Sequence, residues 1–98
     1  MRHATPAALD QLEPLLAELR GCEDLREKKR GTFYRGSSAF LHFHEDPAGL
    51  FADVKLVGRD FTRMRASTAA EQHAVLRAVR AALSARSAPR SRAAARRT

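Results

Sequence analysis

The chain has 98 residues, of which 44% are hydrophobic, and its formal net charge is +7. A chain of this length forms a single domain with a modest core, which leaves no room for a separate catalytic domain. No apolar run approaches the ~20 residues that a membrane span needs, and Cys22 alone excludes an internal disulfide. Asp10 and Glu13 lie where a secretory signal would be apolar, so we expect a cytoplasmic protein without a membrane partner.

The first predicted element is a helix that begins after Thr5. Thr5 is an oxygen-bearing N-cap, and Pro6 suits the first helical position. The leucine phase continues through Pro14, so we expect one helix kinked near residues 10–14, which ends at Gly21. Its apolar stripe consists of Leu9, Leu12, Leu16 and Leu19, with Leu15 beside it.

Four strands are predicted to follow. Residues 22–30 are interpreted as a charged surface connector, and Thr32–Arg35 as a short strand between two glycines. Residues 39–56 contain two alternating runs around a Pro and Gly turn, which predicts a β-hairpin. Residues 61–66 follow a further turn and predict the fourth strand. The pattern is typical of a sequential antiparallel sheet.

Alternation along the predicted strands sorts their side chains onto two faces. One face is apolar and carries residues such as Leu41, Phe43, Ala52 and Val54. The other face mixes aromatic and charged side chains, and we expect it to stay open as a binding face. Its members are Phe40, His42, His44, Phe51, Asp53, Lys55, Arg63 and Arg65.

The last predicted element is a second helix. Thr68 and Glu71 have the spacing of a capping box, and an apolar stripe follows until the pattern fades between Leu83 and Pro89. Residues 1–86 therefore predict a single α+β domain, a two-layer sandwich of helix, four-stranded antiparallel meander and helix. This order of elements resembles that of small bacterial frataxin-like domains, and the resemblance concerns the order of elements alone.

The positive charge is concentrated at the C-terminus. Residues 84–98 contain five arginines and no acid, so residues 1–83 carry only +2. Residues 87–98 lack apolar anchors, and we expect a disordered basic tail. Such a tail attracts phosphates, so one alternative function is nonspecific nucleic-acid binding, with Phe40 and Phe51 stacking on bases. The arginines concerned are Arg86, Arg90, Arg92, Arg96 and Arg97.

The predicted strand pairing brings three candidate catalytic residues together. If Leu41 opposes Val54, His42 must oppose Asp53 on the polar face. Extending the ladder with Met64 opposite Val54 places Arg65 beside Asp53 and Arg63 beside Lys55. A histidine held by a carboxylate is suited to general-base catalysis, and an arginine binds anions. The candidate catalytic residues are therefore His42, Asp53 and Arg65.

The same face offers a candidate metal site. His42 and His44 lie on one strand face about 6.5 to 7 Å apart at the backbone, within reach of one metal ion. Asp53 is the third candidate ligand. Gly36, five further residues, His42 and His44 resemble the opening of the first cupin motif, which implies metal binding. Glu45 follows His44 immediately, whereas that motif has its glutamate a few positions later.

No motif in the chain names a reaction. The sequence favours a non-enzymatic binding or protein-interaction module that uses the open sheet face and needs no cofactor. Its expected partners are another protein, a small anionic ligand or a second copy, since Phe40 and Phe51 would expose apolar surface. The alternatives are the nucleic-acid-binding tail and a metal- or His/Asp-dependent enzyme acting on a small anionic substrate.

Overall fold

Two helices and a six-stranded sheet make up the part of the chain that a computed structural model describes, residues 1–87. The elements in chain order are β1 (Arg2–His3), α1 (Pro6–Arg20), β2 (Arg26–Lys29), β3 (Thr32–Arg35), β4 (Ser38–Asp46), β5 (Gly49–Val57), β6 (Asp60–Arg65) and α2 (Ala69–Ser87). Neighbouring strands pair antiparallel in the order β2-β3-β4-β5-β6, and β1 pairs with β4. The α+β class and the antiparallel sheet are confirmed, but the expected four strands are six.

Strands β1 and β2 were not predicted, and the interpretation of residues 22–30 as a connector is wrong for Arg26–Lys29. Strand β2 pairs with β3 through Glu27 and Phe33, and β1 pairs with β4 through His3 and His44. Strand β1 has two residues and β2 is entirely polar, so neither shows the alternation by which a strand is recognised. Their neighbours in the sheet determine their conformation.

Helix α1 is continuous, as the leucine phase predicts. Thr5 is the N-cap, and its hydroxyl accepts a hydrogen bond from the backbone N–H of Ala8 at 3.4 Å. Pro14 lies inside the helix, and Gly21 is the C-cap. The buried side chains of the helix are Ala8, Leu12, Leu15, Leu16 and Leu19.

The predicted register between β4 and β5 is confirmed. Leu41 opposes Val54, His42 opposes Asp53 and Phe43 opposes Ala52. Pairing continues to Asp46 and Gly49, so the turn between the strands consists of Pro47 and Ala48. The two histidines of β4 and Asp53 therefore share one face of the sheet.

The predicted register between β5 and β6 is wrong by two residues. Met64 opposes Ala52 rather than Val54, and Arg63 rather than Arg65 opposes Asp53. The strands are joined by a tight turn closed by the pair Val57 and Asp60, with a register shift between Val54 and Val57. Arg65 lies opposite Phe51 instead. Arg63, which was expected beside Lys55, is therefore the arginine that lies beside the Asp53 carboxylate.

The hydrophobic core contains one aromatic residue that was expected on the open face. Phe40 is 1% exposed and belongs to the core together with Phe33 and the buried residues of both helices. The β3–β4 ladder passes from the pair Phe33 and Leu41 to the pair Tyr34 and Ala39, so it skips Phe40. This irregularity breaks the alternation on which the prediction for Phe40 depended.

Helix α2 begins with the predicted capping box. The Thr68 hydroxyl accepts from the backbone N–H of Glu71, whose carboxylate accepts from the backbone N–H groups of Thr68 and Ser67. Within residues 1–87 no helix is long and apolar enough to cross a membrane. Of the tail arginines, Arg86 lies in α2, and the others lie outside the described residues: Arg90, Arg92, Arg96 and Arg97.

Candidate metal centre

Three histidines meet on the polar face of the sheet. His42 and His44 project from β4, and His3 joins them from β1. One ring nitrogen from each residue lies within 4.8 Å of the others. The ring centroids of His3 and His44 are stacked 4.8 Å apart, and those of His42 and His44 are 4.9 Å apart edge to face. The chain has four histidines, so three of them gather at one place.

His3 reaches this cluster because the N-terminal segment is fastened to β4. His3 pairs with His44, and the backbone N–H of Ala4 donates to the carbonyl of Phe43 at 3.2 Å. The carboxylate of Glu45 accepts from the backbone N–H and the hydroxyl of Thr5, both at 2.7 Å, and from Arg2 at 3.1 Å. These bonds lower the pKa of Glu45 to about 2. The segment on either side of His3 is therefore anchored by one carboxylate.

A buried carboxylate lies against the histidines. Asp53 is 5% exposed and accepts two hydrogen bonds from Arg63, at 2.8 Å from Nε and 2.9 Å from Nη2. The Arg63 guanidinium lowers the pKa of Asp53, so the carboxylate remains charged although it is buried. Its Oδ2 lies 3.0 Å from Nδ1 of His44 and 4.0 Å from Nδ1 of His42.

The Nδ1 atoms of His42 and His44 are shielded from solvent and, among the described residues, have no hydrogen-bond partner. For His44 the distance to Asp53 suffices but the direction does not, and for His42 the distance is too long. Burial lowers the pKa of His42 below its ordinary value of 6.5, which favours the neutral ring. A buried polar atom without a partner costs free energy. A bound ligand, or a small rotation of either ring that supplied a partner, would therefore stabilise the site.

Phe61 of β6 borders the cluster, and Lys55 of β5 lies against Phe61. The Phe61 ring lies edge to face against His42, with centroids 4.8 Å apart, and it is 41% exposed. The Lys55 ammonium lies 5.2 Å from the centroid of Phe61 and donates to the Ser38 hydroxyl at 3.0 Å. The Phe61 ring thus covers one side of His42.

The other members of the predicted binding face lie apart from the cluster. Arg65 lies over the ring of Phe51 at 5.2 Å and bonds to Glu71 and to the carbonyl of Ala48. Phe51 is 9% exposed and Phe40 is in the core, so neither presents a ring for base stacking. The apolar surface by which the sequence predicted a dimer is therefore buried within the chain.

The structure thus assembles a partly different site from the predicted one. His42, His44 and Asp53 come together as expected, with Arg63 in place of Arg65. His3 was missed, because its position depends on the pairing of a two-residue strand with residues some forty positions away. The sequence does contain His3, but no local pattern connects this residue to His42 and His44.

Three neutral imidazoles are a ligand set that suits zinc and related first-row divalent ions. Tetrahedral coordination with Zn–N bonds of 2.0 to 2.1 Å requires nitrogens about 3.3 Å apart, so the 4.8 Å cluster must contract through side-chain rotation. Metal-bound histidines commonly direct their second nitrogen to a carboxylate. The Asp53 carboxylate, whose Oδ2 is 3.0 Å from Nδ1 of His44, lies close enough to serve His44 in this way.

Comparison of the chain with models of protein families, with curated proteins and with solved structures finds no match.

Proposed function

We propose that this protein is a metal-binding domain that holds a divalent transition-metal ion, with zinc as the reference ion, through His3, His42 and His44. The observation that carries the proposal is the convergence of three histidine nitrogens within 4.8 Å, from two strands distant in sequence. The proposal develops the candidate metal site on the sheet face, and the interaction module expected from the sequence stays a prediction.

Asp53 is assigned to the outer shell rather than to the metal. Both of its oxygens accept from Arg63, and Oδ2 also faces the two histidines of β4. After a small rotation of the His44 ring, a carboxylate held in this way would orient that imidazole and raise its basicity. The 4.0 Å separation between His42 and Asp53 is too long for an orienting hydrogen bond, which argues against these two residues as a catalytic pair.

The direct test is calorimetric titration of the metal-free protein with Zn²⁺ at neutral pH. We expect one ion per chain, and we expect His3→Ala and His44→Ala each to weaken binding severely. His73→Ala is the matched control, because His73 is the fourth histidine and lines a cavity between α1 and α2, away from the cluster. Equal Zn²⁺ affinity of the wild-type protein and the His44→Ala variant would contradict the proposal.

Thermal unfolding provides an independent measurement. An ion that binds only the folded chain at about 100 times its Kd adds about 2.7 kcal/mol to the free energy of unfolding. For a domain of this size, that addition raises Tm by roughly 10 to 20 °C. We expect this rise in the wild-type protein and in the His73→Ala variant, and we expect the His3→Ala variant to lose most of it.

A further inference from the structure

A cavity with a volume of about 190 Å³ lies between α1 and α2 and shares no lining residue with the metal centre. Its apolar lining consists of Pro14 and Leu15 of α1 and of Ala69 and Leu76 of α2. Both leucines are buried, and Ala69 contributes only a methyl group. An engineered apolar cavity of about 150 Å³ binds benzene, so the space between the helices admits one substituted aromatic ring.

The cavity is also lined by a buried polar side chain, that of Gln72, which is 8% exposed. Its Nε2 donates to the carbonyl of Ala66 at 3.2 Å and to the carbonyl of Gln11 at 3.3 Å. Because carbonyls only accept, these two bonds determine which end of the amide is the nitrogen, and they use both of its N–H groups. Among the described residues nothing donates to Oε1, and this oxygen is not sealed from small molecules. A ligand with an O–H or N–H group would supply the missing donor.

The remaining polar residues of the lining, Glu18 and His73, are exposed and lie at the mouth of the cavity. The Glu18 carboxylate accepts a hydrogen bond from Arg80 at 3.2 Å, so its charge already has a partner. None of the described residues places a charge at the buried end of the cavity, where Oε1 of Gln72 is a neutral acceptor. A charged ligand would be buried there without compensation, which favours a neutral one.

We propose that this cavity binds a small neutral aromatic molecule whose single hydroxyl or N–H group donates a hydrogen bond to Oε1 of Gln72. The ring lies against Leu15 and Leu76, where the burial of apolar surface favours binding. A rigid ring loses little conformational entropy on binding, so it suits a small cavity better than a flexible chain of the same size. Binding here needs no metal ion, because none of the three clustered histidines lines the cavity.

The test is an NMR titration of the full chain with phenol and, in a second sample, with toluene, which has a methyl group in place of the hydroxyl. We expect both molecules to cause saturable shifts of the backbone amide signals of Leu15, Gln72 and Leu76. Gln72→Met removes the acceptor and keeps the length of the side chain. It should raise the Kd of phenol about fivefold, the loss of one neutral hydrogen bond, and leave that of toluene unchanged. Equal changes for the two ligands, or no saturable shift with phenol in the wild type, would overturn the proposal.

A second pair of variants tests the cavity without altering Gln72. Ala69→Leu fills the cavity with a larger side chain and should abolish the phenol shifts. Ala70→Leu is the matched control, because Ala70 is the next residue of α2, is also exposed and does not line the cavity. The control should bind phenol as the wild type does, and both variants should fold because both positions are exposed. Equal phenol affinity of the two variants would place the ligand elsewhere and overturn the proposal.

Discussion

Replacing Glu45 by Ala should weaken Zn²⁺ binding although Glu45 is not a ligand. Its carboxylate anchors the segment that carries His3, through two bonds to Thr5 at 2.7 Å and one to Arg2 at 3.1 Å. A strand of two residues does not stay paired by itself, so these bonds determine how often His3 is in place. When the binding-competent state is partly populated, the apparent affinity falls by that fraction.

The size of the effect follows from the three bonds. The Arg2 side chain is 73% exposed, so its ion pair contributes little. The two bonds from Thr5 are partly buried, and bonds to a charged acceptor shift an equilibrium by about tenfold or more. The backbone pair of His3 with His44 and the bond from Ala4 to Phe43 remain in the variant. We therefore expect the Kd for Zn²⁺ to rise about tenfold.

The assay is competition calorimetry with a chelator of known affinity, together with hydrogen exchange of the backbone at residues 2–5. Glu18→Ala is the control, because Glu18 is an exposed carboxylate of α1 that bonds to Arg80, outside the metal centre. The control should leave both the Kd and the exchange unchanged. Faster exchange at residues 2–5 in the Glu45→Ala variant with an unchanged Kd would show that anchoring of His3 does not limit metal binding.

Three further variants test other parts of the structure. Asp53→Asn removes the charge that faces the histidines and should weaken Zn²⁺ binding about 10- to 100-fold in calorimetry; an unchanged Kd would remove Asp53 from the outer shell. Phe40→Ala should lower the free energy of unfolding by about 3 to 5 kcal/mol in urea titrations, because the ring is in the core. A loss near zero would contradict the burial of this ring. Glu71→Gln concerns pH. Hydrogen bonds from the backbone of Thr68 and Ser67 lower the pKa of Glu71 below its ordinary value of 4.5. Its stabilising contribution is therefore complete above that value and is lost as the pH falls through the lowered pKa. The metal-free wild type should lose more stability than Glu71→Gln between pH 7 and acid pH, and parallel losses would contradict the capping role.

Local rules sufficed for the helices and for the central hairpin. Thr5, Pro6 and Gly21 define the ends of α1 through caps that involve neighbours in sequence, and Thr68 with Glu71 does the same for the start of α2. The β4–β5 register followed from the alternation of apolar residues, since a slip by one residue would have turned the whole apolar set outward. His42 and Asp53 could therefore be placed side by side.

The register of β6 could not be determined in this way. Shifting β6 by two residues along β5 keeps every side chain on the same face, so parity cannot distinguish Arg63 from Arg65 as the partner of Asp53. The tight turn and the irregularity between Val54 and Val57 determine the choice. A similar irregularity beside Phe40 moves that ring into the core.

The sequence by itself therefore determined the two helices, the central hairpin and the face on which two histidines meet a carboxylate. Caps and periodicity are properties of neighbouring residues, so one sequence can reveal them. The tertiary structure alone decided that Arg63 neutralises Asp53 and that His3 completes the cluster. Both results depend on contacts between segments distant in the chain, and a two-residue strand has too few residues to carry a period of its own.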